Sequence, residues 1–305
     1  MAARKISFLN YKGGVGKTSL IVNVAACMAR RGKRVLLFDL DTQSNTSIWL
    51  LRLNRWNEIN SSGKGALYSI FDPGHDTIKD LVIRDVVQDK LGKPILPGLD
   101  LVPTTFNLVD VESEYRDDPK CPHYVHFRRQ LMEIEHNYDC ILFDCPPNIL
   151  RASQCGVFCS HEVLVPCNPD ALSLIGFTLL VEKLIRFNQK SSTFRESGQG
   201  PAPAASGIIF NAIQDGMDIE VPKMRMQLRL NQFKKQKRTA PGAKIFSTII
   251  RRAPVVQRAV TLGMPVINIA DQGGSKETED VSKDFMAVAD EIIRHQALGL
   301  EDESI

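Results

Sequence analysis

Lys12-Gly13-Gly14-Val15-Gly16-Lys17-Thr18 follows the apolar run at residues 5–10 (KISFLN) and opens a stretch, residues 17–31, whose apolar positions recur at helical spacing. A glycine-rich turn between strand and helix lets successive backbone N–H groups face inward onto phosphate oxygens. The helix N-terminus that follows adds its unpaired N–H groups and the positive end of its dipole. In such a loop Gly13, Gly14, Val15, Gly16 and Ser19 surround a nucleotide's phosphates, Lys17 reaches the β- and γ-phosphates, and the Thr18 hydroxyl ligates Mg2+. The usual G-x-x-x-x-G-K-[ST] pattern asks for glycine at position 11. This chain has Tyr11 there, and a second lysine, Lys12, beside the glycines.

Working outward, short β-rich runs alternate with helical patterns. Residues 34–40 (RVLLFDL), 140–144 (CILFD), 163–167 (VLVPC), 207–211 (GIIFN) and 265–269 (PVINI) read as further strands. Residues 127–136, 172–188 and 276–295 read as helices. The alternation predicts an α/β fold: a doubly wound, mainly parallel sheet with helices on both faces. Residues 57–65 and 191–206, rich in Ser, Gly, Asn, Pro or Ala, read as surface loops within a single domain spanning 1–305, which closes on an acidic tail at 297–305. Asp39, Asp41 and Asp144 close two of the strands, at the carboxyl edge where such sheets bind ligands. Carboxylates beside phosphates call for an intervening metal ion or water. Asn211 closes another strand, with an amide able to pair with a purine edge.

Hydrophobic residues make up 43% and charged residues 24% of the 305, enough for a sizeable core. No run of 18 apolar residues predicts a membrane span, and MAARKISFLNYKGG has no apolar core of a secretory signal. Seven cysteines, an odd number without a C-x-x-C pair, fit reduced thiols of a cytosolic protein. Cys121, His123 and His126 complete no four-ligand metal site, and the i, i+4 pair Cys155 and Cys159 lacks the loops of a cluster site.

KGGVGKT with its extra lysine resembles the deviant Walker A motif of the ParA/MinD group of ATPases. FDLDTQSN at 38–45 is similar to that group's D-x-D-P-Q-G-N segment, DCPP at 144–147 to its D-x-P-P, and residues 251–267 with their GMPV turn to its C-terminal region. The likeness runs from about residue 4 to 296; Thr42 and Ser44 depart from the group's Pro and Gly. It implies an ATPase, weak without a partner, that uses ATP and Mg2+. It places Asp41 in hydrolysis, Asp39 and Asp144 in the Mg2+ shell and Asn211 at the adenine. It also implies an ATP-sandwich homodimer in which Lys12 reaches the other subunit's nucleotide. On the residues alone, Lys12 serves equally well within one chain.

Residues 221–258 contain eleven Lys and Arg and no Asp or Glu, in an otherwise acidic chain. They include Arg225 and Arg229 on a helix expected at 223–233, Lys234 and Lys235 after it, and Arg251 and Arg252 beyond a strand expected at 245–250. Cations without acidic neighbours suit phosphate contacts, which carry affinity but no sequence preference. The resemblance implies non-specific DNA binding by the ATP dimer, a ParB-like or cargo-adaptor partner that stimulates hydrolysis, and a cytoplasmic, nucleoid-associated protein. A first strand within five residues of Met1 leaves no helix-turn-helix extension before it. The ending QALGLEDESI is unlike the basic amphipathic helix with which MinD-like members bind membranes, so DNA is expected rather than lipid. A metabolic ATP-dependent enzyme of the same fold is the other alternative, and it leaves the basic segment without a purpose.

Overall fold

The computed structural model describes residues 3–71, 76–196 and 199–301, with side chains through residue 295. β1 (Arg4–Phe8) runs through the glycine loop into α1 (Lys17–Arg30), and β2 (Val35–Asp39) leads to α2 (Asn45–Ser62). Then come α3 (Ile78–Leu81), β3 (Leu99–Val102), α4 (Leu108–Ser113), α5 (His123–Met132) and β4 (Cys140–Asp144). α6 (Arg151–Cys159), β5 (Glu162–Cys167), α7 (Ala171–Ser191) and β6 (Ala204–Phe210) follow. The C-terminal part holds α8 (Glu220–Lys235), the two-residue β7 (Lys244–Ile245), α9 (Pro254–Leu262), α10 (Val266–Asp271) and α11 (Lys276–Glu301).

The seven strands pair in the order β3-β2-β4-β1-β5-β6-β7, every pair parallel. A parallel sheet is covered on both faces, so its strands are apolar throughout. Along β2, Leu36 and Phe38 enter one core with α5 and α6, while Val35 and Leu37 enter the other with α1, α10 and α11. Phe38 sits 5.4 Å from Phe127 and 5.2 Å from Phe143, ring centre to ring centre. Removing such a ring costs about 3–5 kcal/mol. The crossover from β1 to β2 runs toward the β3 edge and that from β4 to β5 toward the β7 edge, which opens a crevice at the carboxyl ends of the middle strands.

Four expectations are corrected. Residues 265–269 form no strand: Pro265 caps α10, and Asn23 Oδ1 on α1 accepts the Val266 N–H at 2.7 Å. Residues 57–65 are no loop in their first part, because α2 continues to Ser62 and stops at the left-handed Gly63 (φ 65°). Buried Trp56, donating Nε1–H to the Thr104 carbonyl at 2.9 Å, holds that second half of the helix down. The strand expected at 245–250 shortens to β7, after which only single bonds, Phe246 N–H to Ile208 O and Ile250 N–H to Phe210 O, keep the chain beside β6. The loop at 191–206 shrinks between the end of α7 and the start of β6, and residues 197–198 lie outside the described residues. Of the acidic tail, α11 takes the part to Glu301, and 302–305 also lie outside.

Candidate nucleotide site

The loop after β1 has left-handed backbone at Gly14 (φ 74°) and Gly16 (φ 72°), which an L side chain adopts only at a cost. A Cβ on Gly13 or Gly14 would meet nothing within 4 Å, so the cradle is open on its inner side. Gly16 is different: a Cβ there would lie 2.5 Å from Asn211 Nδ2 and 2.9 Å from Ser19 Oγ. Asn10 fixes the loop's entry, accepting the Lys12 N–H at 3.0 Å and donating to the Pro166 carbonyl at 2.6 Å. Tyr11, standing where the usual pattern has glycine, accepts the Ile149 N–H on its hydroxyl at 3.2 Å and tacks the loop to the turn after β4.

Asp39 and Asp144 are register partners at the ends of β2 and β4, both buried. Asp39 Oδ2 accepts from the Ser47 backbone (2.8 Å) and hydroxyl (2.7 Å), and its Oδ1 accepts the Asp41 N–H (3.2 Å). Asp144 Oδ2 accepts from Thr18 Oγ1 (2.9 Å) and Thr46 Oγ1 (2.7 Å), while its buried Oδ1 has no partner among the described residues. Burial pushes the Asp144 carboxyl up to about 6, against the pull of the Thr46 hydroxyl and Lys17. Burial, and then the charge of Asp144, raise Asp39 as well. Two raised carboxyls and an orphaned oxygen beside Thr18 make a place that a divalent cation relieves. The residues fit Mg2+: Thr18 as a ligand, Asp144 and Asp39 around it. Among the described residues no group of three or more His, Cys, Asp or Glu is placed to hold a metal ion.

Asp41 accepts the Gln43 N–H at 3.0 Å and lines a cleft of about 470 Å3 with Gly13, Lys17, Thr18, Pro146 and Pro147. The glycine loop, Lys17, Thr18 and Asp41 thus share one space. A second hollow of about 210 Å3 adjoins it, lined by Ser19, Asn211, Arg252, Val256 and Phe285 among others. Asn211, however, spends its amide on the loop, donating Nδ2–H to the Val15 and Gly16 carbonyls at 2.9 Å each. Ser19 does likewise, bonding Gly16 O at 2.8 Å. Lys12 is not in the cleft. Its ammonium pairs with Asp170, which also caps α7 by accepting the Ser173 N–H at 2.8 Å.

The basic segment is less free than its composition implies. Arg251 binds Asp284 through two nitrogens (2.7 and 3.0 Å) and lies 3.8 Å from Asp280. Arg229 lies over the Phe233 ring at 5.7 Å, and Lys234 donates to the Ala243 carbonyl at 3.1 Å. The carboxylates absent from 221–258 arrive from elsewhere in the chain, Asp280, Asp284 and Glu291 from α11 and Glu182 from α7. Arg225, Lys235 and Arg252 remain exposed. His123 bridges Asp117 (2.7 Å) and Gln154 (3.0 Å), a structural role, and all seven cysteines are free thiols.

Residues 3–195 match a family model, AAA_31, described as an AAA domain. The chain belongs to this family. Relatives similar to it include the chromosome-partitioning ATPase Soj of Treponema pallidum, 28% identical over 287 residues, 93% of this chain and 97% of that one. Among solved structures, pnob8 ParA superposes with a TM-score of 0.68 at 18% identity, covering 97% of this chain and 99% of the other. Cobyrinic acid a,c-diamide synthase from Mycobacterium smegmatis, with bound ADP and magnesium, gives 0.65 at 18% identity, covering 97% and 96%. This AAA-domain chain is a P-loop ATPase of the ParA/MinD type. Bound ATP with Mg2+ supplies the transferable phosphoryl group and neutralises its charge. The protein's share would be positioning: the loop amides and Lys17 would hold the phosphates, Thr18 and Asp144 would hold the cation, and Asp41, lining the same cleft, would orient a water. No helix among the described residues is long and apolar enough to cross a membrane.

Proposed function

We propose that this ATPase positions DNA or another cargo, by forming an ATP-dependent homodimer that binds DNA without sequence preference and lets go when a partner stimulates hydrolysis. The observation that carries the reading is the separation of the two loop lysines. Lys17 lines the cleft, whereas Lys12 stands outside it at the head of α7, near the exposed apolar side chains of Leu172 and Ile175. On leaving Asp170, a cation placed there can reach a nucleotide on a second copy, and apolar neighbours at the rim suit a surface that is covered in one state of a cycle. Hydrolysis by Asp41 then ends the dimer.

DNA contacts fall to the exposed Arg225, Lys235 and Arg252, with Arg229 and Lys234 beside them; Arg251 contributes only by leaving Asp284. Dimerisation doubles these contacts on one surface, so DNA binding follows ATP. The ParB-like or cargo-adaptor partner and the cytoplasmic, nucleoid-associated location complete the reading, which needs no membrane. The test is fluorescence anisotropy on random duplex DNA with ATP and with ADP across a salt series. Affinity should require ATP and fall log-linearly with salt, at a slope of about −0.9 per phosphate neutralised. Arg252→Ala with Lys235→Ala should flatten that slope, and Arg251→Ala should change it less. Equal binding in both nucleotide states, or strong preference for one sequence, sinks the proposal.

A further inference from the structure

We propose that Thr46 is a positioning residue of the metal centre, tying the first turn of α2 to Asp144 and so aiming both Asp144 and Asp41. The inference rests on the ATP–Mg2+ reading of the cleft and adds a residue to it. Thr46 is fully buried, and its hydroxyl donates to the same Asp144 oxygen that Thr18 engages, at 2.7 Å against 2.9 Å. A threonine in a helix commonly returns its hydroxyl to a carbonyl of the preceding turn. Here it reaches across 98 residues to a carboxylate. The next residue, Ser47, does the same for Asp39 with both its N–H and its hydroxyl, and accepts the Thr104 N–H at 2.8 Å. One helical turn therefore grips both carboxylates that end β2 and β4, and the loop carrying Asp41 leads straight into that turn.

The division of labour follows from the lone pairs. Thr18 is needed by the cation, so its hold on Asp144 is shared with another duty. Thr46 has no such second duty. It keeps Oδ2 occupied and leaves Oδ1, buried and without a partner among the described residues, free for the metal's shell. A shift of Asp144 is passed through Thr46 to α2 and to Asp41.

Thr46→Val keeps the shape and removes the donor; Thr46→Ser keeps the donor and removes the methyl. Three measurements read the result. In EDTA, a fluorescent ATP analogue should bind Thr46→Val within twofold of the parent. With ADP present, the Mg2+ concentration giving half of the thermal stabilisation should rise about tenfold or more, tenfold being the lower end of what one lost hydrogen bond to a charged group costs. In the nucleotide-free protein, amides of the first α2 turn should exchange faster. Thr46→Ser should restore the Mg2+ midpoint and the slow amide exchange. If Thr46→Val does not fold, Thr46→Ala is read in the same way. A Mg2+ midpoint within twofold of the parent overturns the proposal, and so does failure of Thr46→Ser to restore it, because packing of the methyl then explains the loss. A parent protein whose stability does not respond to Mg2+ at all sinks the metal reading itself, which separates the two failures.

Discussion

Replacing Asn211 by Ala separates two roles for one buried amide. In the structure its Nδ2 holds two loop carbonyls, those of Val15 and Gly16, each at 2.9 Å. A buried neutral hydrogen bond contributes about 0.5–1.5 kcal/mol, so their joint loss costs about 1–3 kcal/mol. If the loop must be ordered again whenever phosphate binds, that cost appears in affinity as a weakening of roughly fivefold to 150-fold. The brace acts on the phosphate end of any ligand. ATP, GTP and inorganic pyrophosphate should therefore all weaken by a similar factor, measured by isothermal titration or by competition against a fluorescent nucleotide. Asn211→Asp should do worse than Ala, since it sets a carboxylate against two carbonyl oxygens. A loss confined to ATP, with GTP and pyrophosphate unchanged, would refute the brace and return Asn211 to the base contact implied by the family resemblance.

Asp41→Ala should leave ATP affinity within a few-fold while hydrolysis falls at least a hundredfold, because orienting water matters in the transition state and not in the ground state; unchanged turnover in a phosphate-release assay would remove Asp41 from the chemistry. His161 supplies a pH dependence. Its Nδ1 accepts the Lys5 N–H at 3.0 Å, and burial, then the charges of Lys5 and Arg4, lower its pKa to about 3. A histidine held neutral in the fold stabilises it fully above the unfolded pKa of about 6.5, and this contribution is lost as pH falls toward the folded value. At about 1.4 kcal/mol per pH unit, wild type should lose roughly 2 kcal/mol between pH 6.5 and 5 from this group. His161→Asn, which retains an acceptor, should show a smaller drop in urea unfolding; an identical drop would clear His161.

The glycine loop was legible because its chemistry is local: strand, turn, lysine, hydroxyl and helix lie within about 25 consecutive residues. The strands at the sheet's centre were legible for the same reason, as continuous apolar runs ending in Asp39 and Asp144. β3, four residues long and set among irregular chain, carries too little pattern to be read. Residues 265–269 misled because a short β-branched run suits a strand or a buried helix equally, and the deciding cap, Asn23, lies more than 240 residues away. The same distance problem hid Thr46 against Asp144, Lys12 against Asp170 and Arg251 against Asp284. A gap in acidic residues along the sequence is not a gap in space. Tyr11 looked like a defect in the loop pattern until Ile149 came beside it.

The register of β1 has a consequence for how the chain is born. Arg4–Phe8 is synthesised well before the strands it pairs with, since its neighbours in the sheet are Cys140–Asp144 on one side and Glu162–Cys167 on the other. At about 5–20 residues per second, the first strand waits roughly 7–30 s for a partner to be synthesised. Through that interval the glycine loop has no strand to stand on and no Asp144 or Asn211 beneath it. Nucleotide cannot chaperone the early chain, and a nascent polypeptide cannot capture ATP until its centre closes. The apolar first strand must meanwhile be kept from other edges, so premature stops before residue 140 should yield aggregates in place of partial enzymes.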